Sequence, residues 1–175
     1  MIQSKFELSE IQDDLVVLSP LSYEDFDELW MLSNNIEVWA QHPAKERATI
    51  EGFTSFFNES LSQRSSYAIR DRYKTMVGMS SYYEYDNYHN MISIGYTFFG
   101  IDFWGKGYNP HVKKLMIDYA FDKFGVDHII FHVDENNFRS QNALDKIGIK
   151  KINDVHTVRR GDVECHNLLF MTSRK

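Results

Sequence analysis

The 175-residue sequence contains a single cysteine, Cys165, so no disulfide can close within the chain. Such a composition favours a reducing compartment, with the cytoplasm as the expected location. No histidine or acid is fixed beside Cys165 by motif spacing, so it reads as a buried or edge thiol in a strand rather than a nucleophile. No stretch approaches the ~18 apolar residues of a membrane span. Residues 1–10 lack both a basic segment and a long apolar run, so a soluble protein with no membrane partner is expected. Positive charge is not in surplus either: 19 Lys and Arg against 25 Asp and Glu leave a formal charge of −6. That balance argues against a nucleic-acid partner, which needs a clustered basic face to release counterions, and it tolerates a cationic acceptor such as an amine. The seven histidines show no H-E-x-x-H or Cys/His spacing, so no metal site is expected. No repeat, low-complexity segment or linker divides the chain, and its length suits one domain over residues 1–175, as a monomer or homodimer.

What is present is a regular alternation of periodic segments. Residues 15–18 read as a short apolar strand interrupted by Ser19 and Pro20. Ser22 with Asp25 resembles a capping box, and Phe26, Leu29, Trp30 and Ser33 follow at helical spacing. Residues 36–47 read as an irregular loop. Thr49 can cap a second helix with Ile50, Phe53, Phe57 and Leu61 along one stripe. From Tyr67 the period changes to strands at 67–72, 76–85 and 91–99, the last two punctuated as a hairpin by Asp86, Asn87 and Asn90. A helix with Val112, Leu115, Met116 and Tyr119 on one face closes at Gly125. A buried strand at 129–133, a helix carrying Ala143, Leu144 and Ile147, and a hairpin around Gly161-Asp162 complete the chain.

The chemistry concentrates in Phe103-Trp104-Gly105-Lys106-Gly107-Tyr108-Asn109-Pro110, between a strand and a helix, where backbone amides and the positive helix end can hold an anion. Asn109 suits the N-cap and Pro110 the first helical position, while Gly105 and Gly107 permit positive φ and Lys106 adds a charge. Gly100 through Lys106 matches the first part of a phosphate-binding G-x-x-x-x-G-K loop, but Gly107 stands where Mg²⁺ binding needs Ser or Thr. A dinucleotide fingerprint fails because its third glycine would fall on Pro110. The structural alternative is a tight strand-to-helix connection whose glycines serve geometry alone.

A third motif accommodates the loop. Ile94-Gly95-Tyr96-Thr97, Trp104 through Pro110, Asp134-x-x-Asn137-x-x-Ser140 and Lys146-Ile147-Gly148 resemble the GNAT acetyltransferase superfamily. The branch they are most similar to is that of the ribosomal-protein N-terminal acetyltransferases, and Leu18-Ser19-Pro20-Leu21 and Asp25 resemble its start. Trp104 and Asn109 depart from the first and last positions of the pyrophosphate signature that Gly107 satisfies. The resemblance implies an α/β domain with a mostly antiparallel, twisted central sheet of about seven strands, flanked by about four helices and splayed at the cofactor site. It implies acetyl-CoA as acyl donor, with Thr97, Phe98, Phe99, Trp104, Gly105, Lys106, Gly107, Tyr108, Asn109, Asn137 and Ser140 as cofactor-binding residues. Its pantetheine arm would lie between the strands at 91–99 and 129–133, and a backbone amide near 97–99 would polarise the thioester.

Ser140 is the implied catalytic donor to the departing thiolate; Asn137 and Ser140 also read as a helix cap and a first-turn hydroxyl, roles that do not compete. The acceptor is a primary amine, a peptide N-terminus or a small molecule. Many relatives carry Glu where this chain has Ser93, so the base stays open among Glu84, Asp134 and His156, or no base is needed. Tyr82, Tyr83, Tyr85 and Tyr88 with Trp39 are candidates for an acceptor pocket or for ordinary strand packing. A non-catalytic acyl-CoA-binding module is the alternative function, and a nucleotide-phosphate hydrolase the remote one.

Overall fold

Side-chain caps start the first helices where the sequence places them. The Ser22 amide donates to the Asp25 carboxylate at 2.9 Å, opening a 3-10 turn that runs into α1 (Phe26–Ser33). Thr49 Oγ1 accepts from the Gly52 amide at 3.2 Å at the start of α3 (Ile50–Gln63). The computed structural model describes residues 6–160 and 163–174, so the expected turn at Gly161-Asp162 lies outside the described residues. Around those helices run β1 (Ile11–Gln12), β2 (Val16–Pro20), β3 (Ser66–Asp71), β4 (Met76–Asp86), β5 (Met91–Phe99), β6 (His128–Asp134), β7 (Lys150–Arg160) and β8 (Val163–Ser173). The remaining helices are α2 (Ile36–Trp39), α4 (Tyr108–Tyr119) and α5 (Phe138–Lys146). Among the described residues no helix is long and apolar enough to cross a membrane.

Four local expectations are corrected. Residues 36–47 are not an irregular loop: they hold α2, capped by Asn35 Oδ1 on the Glu37 amide at 3.0 Å, and the start of a 3-10 turn at Lys45–Ala48. Pro20 does not interrupt β2 but ends it opposite Tyr67, a strand end being a place where a missing N–H is tolerated. The sheet has eight strands rather than about seven, because the two-residue β1 pairs with β2. Asn109 does not cap α4; the cap is Gly107, at φ 85°, and Asn109 and Pro110 lie inside the first turn.

The sheet order is β1-β2-β3-β4-β5-β6-β8-β7, antiparallel throughout except for β5 with β6. One face packs α4 and Leu144 of α5 over Val16, Leu18, Tyr67, Tyr82 and Phe131, and the other packs α1, α2 and α3 over Ala68, Met79 and Phe98. Tyr82, fully buried, donates its hydroxyl to the Met116 carbonyl at 2.6 Å and ties α4 to the sheet.

The parallel pair is short. Met91, Ile92 and Ser93 pair with His128, Ile129 and Ile130, and the two strands then part. β6 stays in register with β8 from His128 to Asp134. β5 instead carries a bulge: Tyr96 and Thr97 together oppose Ser80, with Tyr96 at φ 51°. A bulge bends its strand and increases its twist, so the separation is built into β5.

Candidate active site

The gap between the parted strands is a cleft of about 440 Å³. Residues 94–99 of β5 form one wall and residues 131–134 of β6 the other, with the first turns of α4 and α5 at the mouth. Of the residues expected at a cofactor site, Thr97, Phe98, Phe99, Trp104, Gly105, Asn109, Asn137 and Ser140 line it. Lys106, Gly107 and Tyr108 do not: Gly107 caps α4, Tyr108 packs edge-on to Phe103 at 5.8 Å, and the Lys106 ammonium sits 5.8 Å from the Phe103 ring.

The loop entering α4 is held by its own side chains. Trp104 Nε1 donates to the Phe99 carbonyl at 3.0 Å, and the Arg139 guanidinium of α5 stacks 3.9 Å from the Trp104 ring. Gly105 and Gly107 have φ of 72° and 85°, and a Cβ at either would meet nothing within 4 Å. Backbone conformation, not crowding, therefore requires glycine there. At α5, Asn137 Oδ1 accepts from the Ser140 amide at 3.1 Å. Ser140 thus lines the cleft with its backbone amide satisfied.

On the face of the sheet that carries Gly95 and Tyr96, Tyr83 lies close over Gly95, where an added Cβ would meet its ring at 2.7 Å. Of the other aromatics considered for an acceptor pocket, Trp39 lines the cleft, Tyr82 is core, Tyr85 hydrogen-bonds Asn90 and Tyr88 is exposed. His132, not singled out from the sequence, lines the cleft with its Nε2 3.6 Å from Glu84 and its ring 6.0 Å from that of His156. Burial holds the His132 pKa below its ordinary 6.5, outweighing the Glu84 carboxylate, with His156 adding to the decrease. His132 is thus a neutral imidazole at pH 7. No periodicity could have found this cluster, since Glu84, His132 and His156 come from three strands. Asp134 also lines the cleft, its Oδ1 engaged by the Asn136 amide at 2.9 Å.

A second residue that sequence reading passed over is Lys113 of α4, only 6% exposed and on the cleft lining. Its Nζ donates to Thr97 Oγ1 at 2.8 Å and sits 5.2 Å from the Phe131 ring; Thr97 in turn shares a 2.7 Å hydrogen bond with Ser80. Burial depresses its pKa to about 7.

Among solved structures, a GNAT-family acetyltransferase from Bacillus anthracis superposes with a TM-score of 0.80 at 16% identity, covering 94% of this chain and 98% of that one. The microcin C7 self-immunity acetyltransferase MccE, solved with acetyl-CoA and AMP, gives 0.79 at 17% identity, covering 97% and 99%. A spermidine N-acetyltransferase from Vibrio cholerae, solved with CoA and spermine, gives 0.70 at 15% identity, covering 92% and 96%. The fold is therefore shared with these proteins. The family model described as acetyltransferase (GNAT) domain matches residues 16–150, and with it the chain belongs to the GNAT acetyltransferases, for which acetyl-CoA is the cosubstrate.

Proposed function

We propose that the protein transfers an acetyl group from acetyl-CoA to a primary amine by direct attack, in the cleft between β5 and β6. The observation that carries this reading is a two-walled cleft whose lining reaches Gly105 and the first turn of α4. The residues fit the donor: the turn and the N-terminus of α4 suit a pyrophosphate, and the parted strands suit an extended arm. When bound, acetyl-CoA supplies an activated acyl group. Trp104, held by Phe99 and Arg139, fixes the turn that receives the phosphates.

His132 accepts the proton of the acceptor amine, for which its neutral state and its place on the lining suit it, and Glu84 stabilises the imidazolium that results. This assignment answers the absence of a carboxylate at Ser93. Ser140 donates to the departing sulfur, and Asn137 holds the turn on which Ser140 stands. The carboxylates of Glu84 and Asp134 beside the cleft favour a cationic acceptor, either a peptide N-terminus, as the branch resemblance suggests, or a small amine, as for the spermidine acetyltransferase of the same fold.

A panel of amines and peptides assayed by release of free CoA tests the reading. Release that depends on both protein and acceptor supports it. CoA binding with no acceptor-dependent release across the panel would instead make the chain an acyl-CoA-binding module.

A further inference from the structure

Asn167 of β8 is only 7% exposed and lines the cleft, yet among the described residues its side-chain amide has no hydrogen-bond partner. Buried side-chain amides ordinarily find partners, because an unpaired one is costly once water leaves. Neither Oδ1 nor Nδ2 of Asn167 is sealed from solvent, so the amide is reached from the cleft. The sheet decides what surrounds it. Asn167 pairs with Asp134 of β6 on one side and with His156 of β7 on the other. Directly paired residues point to one face of a sheet, and His132, two residues before Asp134, shares that face. Leu168 and Phe170, the alternate residues of β8, pack into the core on the α4 side instead. Asn167 and His132 are thus diagonal neighbours, roughly 7–8 Å apart along the sheet, on the face away from α4.

A primary amide offers N–H donors and a carbonyl acceptor, so the group that completes it must both donate and accept. An extended amino-acid residue does this, since its nitrogen and its own carbonyl oxygen turn to the same side. A polyamine brings donors alone and would leave Nδ2 unpaired in a site emptied of water. Asp134 in the paired position and Glu84 beside His132 disfavour a carboxylate, so the carbonyl is a neutral one. We propose that Asn167 selects the acceptor, with Oδ1 accepting from the substrate's amine and Nδ2 donating to the carbonyl of the same residue, so that the favoured acceptor is an α-amino amide and not a polyamine. Asn167 takes no proton and forms no bond; it holds the amine where His132 receives the proton. This rests on reading the cleft as an acetyl-transfer site, and it decides between the two kinds of acceptor named for that site.

Two acceptor probes test it: tripeptide amides with free N-termini and a mixed first residue, and spermidine. Acceptor-dependent release of CoA should show kcat/KM at least about tenfold higher for the peptide amides, the worth of one hydrogen bond left unmade at a buried group. Asn167→Asp keeps the size and one oxygen and exchanges the Nδ2 donor for a carboxylate. In that variant KM for the peptide amides should rise about tenfold or more and KM for spermidine should fall, with acetyl-CoA affinity by calorimetry unchanged. Asn167→Leu, of similar shape without polar atoms, should raise the peptide KM by a similar factor, and it serves as the test if Asn167→Asp does not fold. A residue that only supports the fold would move both acceptors together. Preference of the unaltered protein for spermidine or another amine without a neighbouring carbonyl, an unchanged peptide KM in the variants, or equal weakening of both acceptors overturns the role of Asn167 while acetyl transfer stands. Absence of acceptor-dependent release from the unaltered protein across the whole panel of amines and peptides overturns the function itself, and this role with it.

Discussion

Lys113→Met should make the protein more stable near neutral pH, because the structure places an ionisable amine where water cannot solvate it. Burial lowers the Lys113 pKa from 10.5 to about 7. Between those values the unfolded chain holds a proton that the folded chain releases, so folding is penalised fully below pH 7 and progressively less as pH rises towards 10.5. At about 1.36 kcal/mol per pH unit, the penalty at pH 7 is roughly 4 kcal/mol, falling to about 1 kcal/mol at pH 10. Methionine matches the length and flexibility of the lysine stem and carries no charge. It forfeits the hydrogen bond to Thr97, worth about 1 kcal/mol. The variant should therefore be more stable by about 3 kcal/mol at pH 7 and nearly equal to the unaltered protein at pH 10. For a chain of this length that corresponds to a melting temperature higher by roughly 6–12 °C at pH 7. Denaturant titrations at pH 7 and pH 10, with melting curves alongside, measure the gap directly. A variant no more stable at pH 7, or a gap that does not close as pH rises, would refute the reasoning from desolvation.

Three further outcomes are expected. Gly107→Val places a β-branched residue at φ 85°, so the fold should lose about 1–2 kcal/mol while acetyl-CoA affinity falls more than about tenfold; calorimetry on the folded variant checks it, and unchanged affinity would put the pyrophosphate elsewhere. Ser140→Ala should lower turnover by about 10²–10⁴-fold with nearly unchanged donor affinity, whereas full turnover at saturating acetyl-CoA in a variant that melts lower would leave Ser140 a structural first-turn residue. For His132→Gln, kcat/KM should fall by a similar factor, about 10²–10⁴-fold, and lose its acidic limb. In the unaltered protein that limb reflects His132 protonation and lies below pH 6.5 because burial lowers the pKa, so an identical pH profile in the variant would remove His132 from the mechanism.

Much of the fold was legible locally. The Thr49 cap, the Ser22–Asp25 pair and the aromatic and β-branched run along 91–99 each act within a few residues, and each element forms where those signals place it. The glycine loop was legible for the same reason: positive φ at Gly105 and Gly107 is a property of the residue, and it needs no distant partner. Legibility failed where the deciding partner was far away in sequence. β1 is two residues long and exists because β2 lies beside it. Position 109 is a good cap by residue type, yet the turn at Gly107 starts the helix earlier and leaves Asn109 inside the first turn.

The candidate site divides along the same line. Sequence by itself pointed to the family, the glycine turn before α4 and the Asn137–Ser140 turn, since all are short motifs. Lys113, beside the apolar stripe of Val112 and Met116, has the residue type of a solvated position, and only the packing of α4 against Thr97 of β5 and Phe131 of β6 buries its amine. His132 owes its lowered pKa to burial, which outweighs the opposing Glu84 carboxylate, with His156 adding to the decrease; β4 and β7 bring those two groups to it. Short-range chemistry is encoded in spacing, whereas desolvation and the pKa it sets depend on what the rest of the chain packs around a group.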